Sequence, residues 1–138
     1  MRSPYPRLSV AVLLGFLVFF LSCERGSTKQ LAPQYINLSN QGGTCTQNGS
    51  PGIIDIYQNQ VVVFQGATAA NAVTQFQVQF GSCPFNSCPV TSQNGGPINA
   101  GQPKAGSAGT TFNYTSLTIS NQPCNLPSPM GLRIKPGP

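Results

Sequence analysis

The sequence predicts an all-β protein whose folded part is a small antiparallel β-sandwich. Three observations support this fold class. The candidate structured segments are short and alternate apolar with polar side chains, which is the pattern of strands with one buried face. No segment repeats apolar residues at the 3.6-residue period of a helix. The 15 glycines and 13 prolines among 138 residues place frequent turns between the segments.

The chain begins with a segment that is typical of an export signal. Arg2 and Arg7 precede the apolar run LSVAVLLGFLVFFL (8–21). This run has the length of a signal-peptide core and falls short of the roughly 20 residues that span a bilayer. A small residue and then Cys23 follow it, so the segment ends in FFLSC. This ending resembles the lipobox of bacterial lipoproteins, and it predicts a lipoprotein signal peptide over residues 1–22.

The lipoprotein resemblance implies a membrane anchor at Cys23. In that family the cysteine is acylated on its sulfur, becomes the new N-terminus after cleavage, and is acylated again on its amine. Several acyl chains hold a protein on a membrane more firmly than a single chain does. Glu24 rather than aspartate follows the cysteine, which implies the outer membrane in bacteria that have two membranes. The alternative interpretations are a plain secretory signal, with a secreted protein, and a short uncleaved anchor.

A short tether and one domain follow the anchor. Residues 23–34 contain Cys23 and the polar segment ERGSTKQLAPQ, a composition that is typical of linkers. The sandwich domain is expected over residues 35–138. This length is enough for one small domain.

The domain contains strand-like segments that end at turn residues. In the 73–80 segment, Phe76, Val78 and Phe80 fall on one face and glutamines on the other, as expected for a half-buried strand. In the 111–120 segment the apolar positions change parity after Tyr114, which predicts a bulge or tight turn near residues 115–116. The predicted strands, in chain order, are 34–38 (QYINL), 53–57 (IIDIY), 61–65 (VVVFQ), 73–80 (VTQFQVQF), 111–120 (TFNYTSLTIS) and 131–135 (GLRIK).

Two segments are expected to lack regular structure. The segment GATAANAV (66–73) is predicted to be a loop, and the alternative is a single turn of helix. The segment TSQNGGPINAGQPKAGSAGT (91–110) is low in complexity and almost free of large apolar side chains. Loops of this length are usually functional or mobile. We favour a segment that is mobile or packed loosely along the edge of the sheet, and the alternative is a functional loop.

Four further cysteines are predicted to form two disulfides. Exported proteins fold in an oxidising compartment, where an even number of cysteines favours disulfides. Of the three pairings, we prefer Cys83 with Cys88, at the ends of the short loop CPFNSC, and Cys45 with Cys124. A zinc site is the first alternative, but no C-x2-C knuckle is present. A redox-active CPFNSC pair is the second, but thioredoxin-like motifs have two intervening residues.

The order of features over residues 53–136 resembles a cupredoxin-type domain. A strand around VVVF is followed by an alternating strand that ends in CPF, a long loop, the pattern FNY, and then Cys124, Met130 and the strand GLRIK. Copper-binding members supply two histidines along with the cysteine and methionine, and this sequence has no histidine. The resemblance therefore implies a cupredoxin-like or immunoglobulin-like sandwich without copper, because a blue-copper site needs two imidazoles.

The composition argues against catalysis and against nucleic-acid binding. General acid–base chemistry usually draws on histidine or carboxylates, and the sequence has no histidine and only two acidic side chains, Glu24 and Asp55. Asp55 is predicted to face solvent from its strand. The formal net charge of +5 includes the two arginines of the signal peptide, and the other basic residues are scattered rather than clustered. We expect a protein without enzymatic activity, cofactor, metal or nucleic-acid partner.

A neutral surface rich in hydrogen-bonding groups is the candidate binding site. Such a surface suits a glycan, but exposed polar residues are expected on any sheet, and we favour the interpretation that the amides only solvate it. Association with another envelope protein through an exposed sheet edge is a second route. The sequence thus predicts a non-catalytic, membrane-anchored envelope module with a binding or structural role, and the alternative is a redox or electron-transfer protein of degenerate cupredoxin type. The candidate binding residues are Tyr35, Tyr57, Gln75, Gln77, Gln79 and Tyr114.

Overall fold

The computed structural model describes residues 30–67 and 72–138. The predicted signal peptide, Cys23 and residues 24–29 of the tether lie outside the described residues. In the two described ranges there is no helix, and so none that could cross a membrane. The strands are β1 (Gln34–Gln41), β2 (Thr44–Gln47), β3 (Ile53–Tyr57), β4 (Val62–Gly66), β5 (Phe76–Phe80), β6 (Val90–Ser92), β7 (Ile98–Gly101), β8 (Thr111–Ile119), β9 (Gln122–Pro123) and β10 (Gly131–Lys135).

The strands form two sheets that enclose one core. The four-stranded sheet has the order β2-β1-β4-β7, and the six-stranded sheet has the order β3-β10-β8-β5-β6 with β9 paired to β8. Most neighbouring strands are antiparallel, but β1 pairs parallel with β4, and β3 pairs parallel with β10. The predicted all-β sandwich is therefore confirmed. The two parallel pairs were not predicted.

The core lies between the sheets and follows the alternation of the sequence. On β5, Phe76, Val78 and Phe80 are buried, and the glutamines between them are exposed, as predicted. Ile36 and Leu38 of β1, which belongs to the opposite sheet, are fully buried. Burying an apolar side chain of this size contributes roughly 1.5 to 3 kcal/mol, so the two faces together supply the main stabilisation of the sandwich.

Four aromatic rings meet in the core. Phe64, Phe80 and Phe85 pack edge-to-face on one another with ring centroids 6.0 to 6.4 Å apart. Tyr114 packs edge-to-face on Phe80 with centroids 5.0 Å apart. Each such pair contributes about 0.5 to 1.5 kcal/mol beyond the buried area. Phe85 comes from the CPFNSC loop and not from a strand, so this loop is part of the core.

The predicted bulge in β8 is confirmed. Gln79 of β5 lies opposite Ser116, and Phe80 lies opposite Tyr114, so Thr115 is the extra residue on β8. A bulge of one residue restores the alternation after a change of parity. It allows both Tyr114 and the later apolar residues of β8 to face the core.

The segment 91–110 is structured, so of the two states expected for it the mobile one was wrong. Its middle forms β7, which pairs antiparallel with β4 at the edge of the four-stranded sheet. The Lys104 amide donates to the Pro84 carbonyl (2.8 Å), and the Gly109 amide donates to the Ile134 carbonyl (2.7 Å). These partners come from distant parts of the chain, which the composition of the segment could not indicate. The segment packs along a sheet edge, which was the other state expected for it.

The end of β4 requires glycine because other backbone passes close to it. A Cβ atom on Gly66 would lie 2.6 Å from the Cβ atom of Val73. A Cβ atom on Gly95, whose φ is +71°, would lie 1.8 Å from the Val73 carbonyl oxygen. Either contact would force the backbone apart. Residues 68–71, in the middle of the predicted 66–73 loop, lie outside the described residues.

Candidate functional site

The outer surface that β5, β6 and β8 form in the six-stranded sheet is built from neutral polar side chains. Gln77 of β5 lies between Thr91 of β6 and Thr118 of β8, and Gln79 lies opposite Ser116. These positions alternate with the buried ones, so their side chains point away from the core. We call this surface the polar face, and it consists of Gln75, Gln77, Gln79, Thr91, Ser116 and Thr118.

A shallow depression lies at one end of the polar face. Its volume is about 190 Å³. It borders the tight turn between β8 and β9, where Ser120 and Asn121 have φ angles of 51° and 62°. Asparagine is favoured in such turns because it tolerates positive φ. The polar side chains that line the depression are Gln75, Gln77, Thr91, Ser92, Gln93, Thr118 and Asn121, and none of them is charged.

Among the polar side chains that line the depression, only Ser92 has a hydrogen-bond partner in the described residues. Its hydroxyl donates to Asn94 Oδ1 (3.1 Å). Some glutamines elsewhere in the described chain are used for internal hydrogen bonds. The side-chain nitrogens of Gln58, Gln60 and Gln102 donate to backbone carbonyls at 3.0 to 3.2 Å. The depression therefore presents donors and acceptors that are not used to hold the fold.

The predicted binding residues do not form one site. The three glutamines share the polar face, and Gln75 and Gln77 also line the depression. Tyr57 is 39% exposed but belongs to β3, at the opposite edge of the six-stranded sheet. Tyr35 is 50% exposed on β1, in the other sheet. Neither tyrosine lines the depression.

Tyr114 is a core residue, and its assignment to the binding surface was wrong. It is only 7% exposed, and its hydroxyl donates to the Gln47 side-chain oxygen at 2.7 Å. The Gln47 side-chain nitrogen donates in turn to the carbonyls of Gly52 (2.6 Å) and Gly131 (3.0 Å). Burial raises the pKa of Tyr114 above its usual value. The side-chain polar groups of Tyr114 and Gln47 are hydrogen-bonded inside the protein, as is usual for buried polar groups. Neither side chain is therefore available to a ligand.

The charged side chains of the described ranges are Asp55, Lys104, Arg133 and Lys135. Asp55 accepts hydrogen bonds from Arg133 Nε (2.7 Å) and Nη2 (3.0 Å), and Lys135 Nζ lies 2.5 Å from it. The hydrogen bonds from Arg133 and then Lys135 lower the pKa of Asp55 to about 2. A carboxylate with this pKa is a poor proton acceptor at neutral pH.

These charges lie at the end where the chain enters the domain. The Ala32 carbonyl accepts a hydrogen bond from the Gln60 side chain (3.0 Å) in the turn between β3 and β4. Tyr57, just before that turn, lies opposite Lys135, and the Gln58 side chain donates to the Lys104 carbonyl. We call this the tether end. The β8–β9 turn and the depression lie at the opposite end, which we call the distal end.

The two disulfides have the predicted pairing. Cys45 bonds to Cys124, with Cα atoms 5.3 Å apart, and Cys83 bonds to Cys88, with Cα atoms 5.9 Å apart. Cys45 is fully buried, and Met130 is 2% exposed in the core. Over the part of the chain that the structure describes, no three His, Cys, Asp or Glu side chains are grouped so that they could hold a metal ion.

Sequence reasoning found Gln75 and Gln77 but missed the rest of the depression. Thr91, Thr118 and Asn121 join the site only through the pairing of β5 with β6 and β8 and through the β8–β9 turn. The alternation of β8 after its bulge was the signal that places Thr118 on the outer surface.

In comparisons with known proteins, no family model matches the chain, and no curated protein or solved structure matches it significantly. The residues of the site therefore carry the functional argument.

Proposed function

We propose that the chain is a lipid-anchored, non-catalytic module of the bacterial cell envelope that binds a glycan or another envelope protein, or has a structural role there. The observation that carries the proposal is the position of the tether. The chain enters the domain at the tether end, and the depression lies at the distal end. FFLSC at the end of the apolar run supports acylation of Cys23.

An anchor at Cys23 would orient the domain on the membrane. Residues 24–33 connect the anchor to β1 and span at most about 35 Å when fully extended. The tether end would then face the lipid, and the depression would face away from it. In bacteria with two membranes, Glu24 favours the outer membrane as the site of anchoring.

We infer that the domain is a copper-free relative of cupredoxin-type sandwiches. The support for this relationship is the order of features over residues 53–136, which the structure places on the two sheets of one sandwich. The sulfur of Cys124 is bonded to Cys45, so it is not the free thiolate that blue copper requires. Phe85 is fully buried inside the loop that Cys83 and Cys88 close, which favours a structural disulfide over a redox pair.

The polar face is a better candidate for partner binding than the sheet edge at β3. This strand pairs with β10 on one side only. It carries Asp55, with Arg133 and Lys135 beside it on β10. Charged side chains at an edge disfavour the addition of another strand. The uncharged polar face has no such barrier.

The experiment that tests the anchor is the intact mass of the membrane-extracted protein. We expect the mass of residues 23–138 plus acyl groups, with four cysteines alkylated only after reduction. The Cys23→Ser variant is the matched control and should keep its signal peptide and carry no lipid. A wild-type mass without acyl groups would contradict the anchor and indicate a secreted protein.

A further inference from the structure

We propose that the depression at the distal end of the polar face binds a neutral, polyhydroxylated ligand, namely an uncharged glycan chain. This inference rests on the proposed function, because it names the partner of an envelope module. Its first support is the distribution of charge. All four charged side chains of the described ranges lie outside the depression, which is lined by neutral groups alone.

A charged ligand would find no counter-charge at this site. Proteins recognise phosphate and carboxylate groups with arginine, lysine or clustered backbone amides, because charge-assisted hydrogen bonds are the strong ones. The cations of the described ranges, Lys104, Arg133 and Lys135, belong to the tether half, and two of them are paired with Asp55. A neutral ligand needs no counter-charge, so the absence of charged side chains does not weaken its binding.

The side chains of the depression match hydroxyl groups in kind. Each carboxamide offers two donor hydrogens and an acceptor oxygen, and each threonine hydroxyl both donates and accepts. Sugar hydroxyls have the same double capacity, so each can pair with an amide in either direction. Gln77 and Thr118 are cross-strand neighbours, and neither side chain is used for an internal hydrogen bond with a described residue. Together they can form hydrogen bonds with adjacent hydroxyls of one sugar ring.

The shape fits part of a chain and not an engulfed small molecule. The volume of about 190 Å³ is below the roughly 300 to 1,000 Å³ of sites that enclose a drug-sized ligand. The depression is partly open to solvent, so a polymer can extend beyond it. The centres of protein–protein interfaces are enriched in aromatic residues, methionine and arginine. Of these types only Phe76, which is 2% exposed, borders the depression.

The test uses the full, membrane-extracted chain in a detergent whose head group is not a sugar. The neutral probes are chitotetraose, cellotetraose and maltotetraose, and the anionic probe is a heparin hexasaccharide, each titrated to millimolar concentration by calorimetry and by NMR. We expect at least one neutral probe to bind and to shift the amide signals of Gln77, Thr91 and Thr118. We expect Gln77→Ala and Thr118→Val each to weaken that binding about fivefold, the effect of one hydrogen bond.

Gln79→Ala is the matched control, because Gln79 lies on the same strand and face but does not line the depression. It should leave the affinity within twofold of wild type. Failure of every neutral probe to bind, tighter binding of the anionic probe, or an equal loss in Gln79→Ala would each overturn the inference. The mass measurement on Cys23 decides the anchor separately, since glycan binding by the purified chain does not depend on how the chain was anchored.

Discussion

The two disulfide-linked regions show two ways in which the same bond stabilises this protein. Cys45 and Cys124 are 79 residues apart and join β2 of the four-stranded sheet to the segment after β9. Cys83 and Cys88 are five residues apart and close a single loop around Phe85. In the loop-entropy model the long closure contributes about 4 to 5 kcal/mol and the short one about 2 kcal/mol. The first acts mainly on the unfolded chain, and the second acts by placing a side chain.

The largest loss is expected from removal of the long closure. The double variant Cys45→Ala/Cys124→Ala should lower the free energy of unfolding by about 4 to 5 kcal/mol, because the unfolded chain gains the conformations that the bond excluded. Urea unfolding followed by far-UV circular dichroism measures the loss. A loss no greater than that of Cys83→Ala/Cys88→Ala would contradict the comparison.

The short closure should matter less than the side chain that it places. Phe85→Ala should cost about 4 kcal/mol, because Phe85 is fully buried among Phe64 and Phe80 and its removal leaves a cavity. Cys83→Ala/Cys88→Ala should cost about 2 kcal/mol. Phe85→Leu, which keeps most of the volume, serves as the control and should cost less than Phe85→Ala. The reverse order of the Phe85→Ala and cysteine variants in urea unfolding would show that the bond acts on its own.

The hydrogen bond between Tyr114 of β8 and Gln47 of β2 also joins β2 to the six-stranded sheet. Tyr114→Phe should cost about 1 to 2 kcal/mol, because it leaves the buried side-chain oxygen of Gln47 without its donor. Tyr57→Phe, which removes the hydroxyl of a tyrosine that is 39% exposed, is the control and should be nearly neutral. Thermal unfolding of both variants beside wild type provides the measurement, and equal melting temperatures for all three would refute the role of this contact.

The smallest effect is expected at the exposed ion pairs between β3 and β10. The pKa of Asp55 is about 2 in the folded protein, below its ordinary value of 3.8, so its ionised form favours folding. This contribution is complete above about pH 5 and is lost as the pH falls toward 2. The free energy of unfolding should therefore decrease below pH 5 in wild type and decrease less in Asp55→Asn. An equal decrease of the free energy of unfolding in wild type and in Asp55→Asn would argue against a stabilising ion pair at Asp55. Glu24 is the only other acidic side chain of the sequence, so few other groups contribute to the pH dependence of stability in this range.

The sequence predicted the elements whose pattern is local. The alternation of residues 76–80, the change of parity at β8 and the outward position of Asp55 all follow from side chains within one strand. The disulfide pairing followed from loop length and the even number of cysteines. On the polar face, Gln75, Gln77 and Gln79 were predicted because they alternate with buried residues.

The parts that were missed depend on contacts between distant residues. The strands β2, β6, β7 and β9 are short and mostly polar, and their pairing partners, not their composition, make them strands. The strand pattern points Tyr114 inward, but the sequence could not show that its hydroxyl is bonded to Gln47, 67 residues away. The parallel pairs and the position of Thr91 and Thr118 at the depression likewise require knowledge of which strands are neighbours.

The parallel pairing of β1 with β4 has a mechanical consequence. The tether runs directly into β1, whose residues 34–38 are matched one by one with β4 from the tether end upward. With lipid at Cys23 and a ligand held at the distal end, tension would act along the strand axis. The hydrogen bonds on both sides of β1 would then be sheared together and not peeled one at a time. This geometry resists force in the direction in which an anchored envelope protein would be pulled.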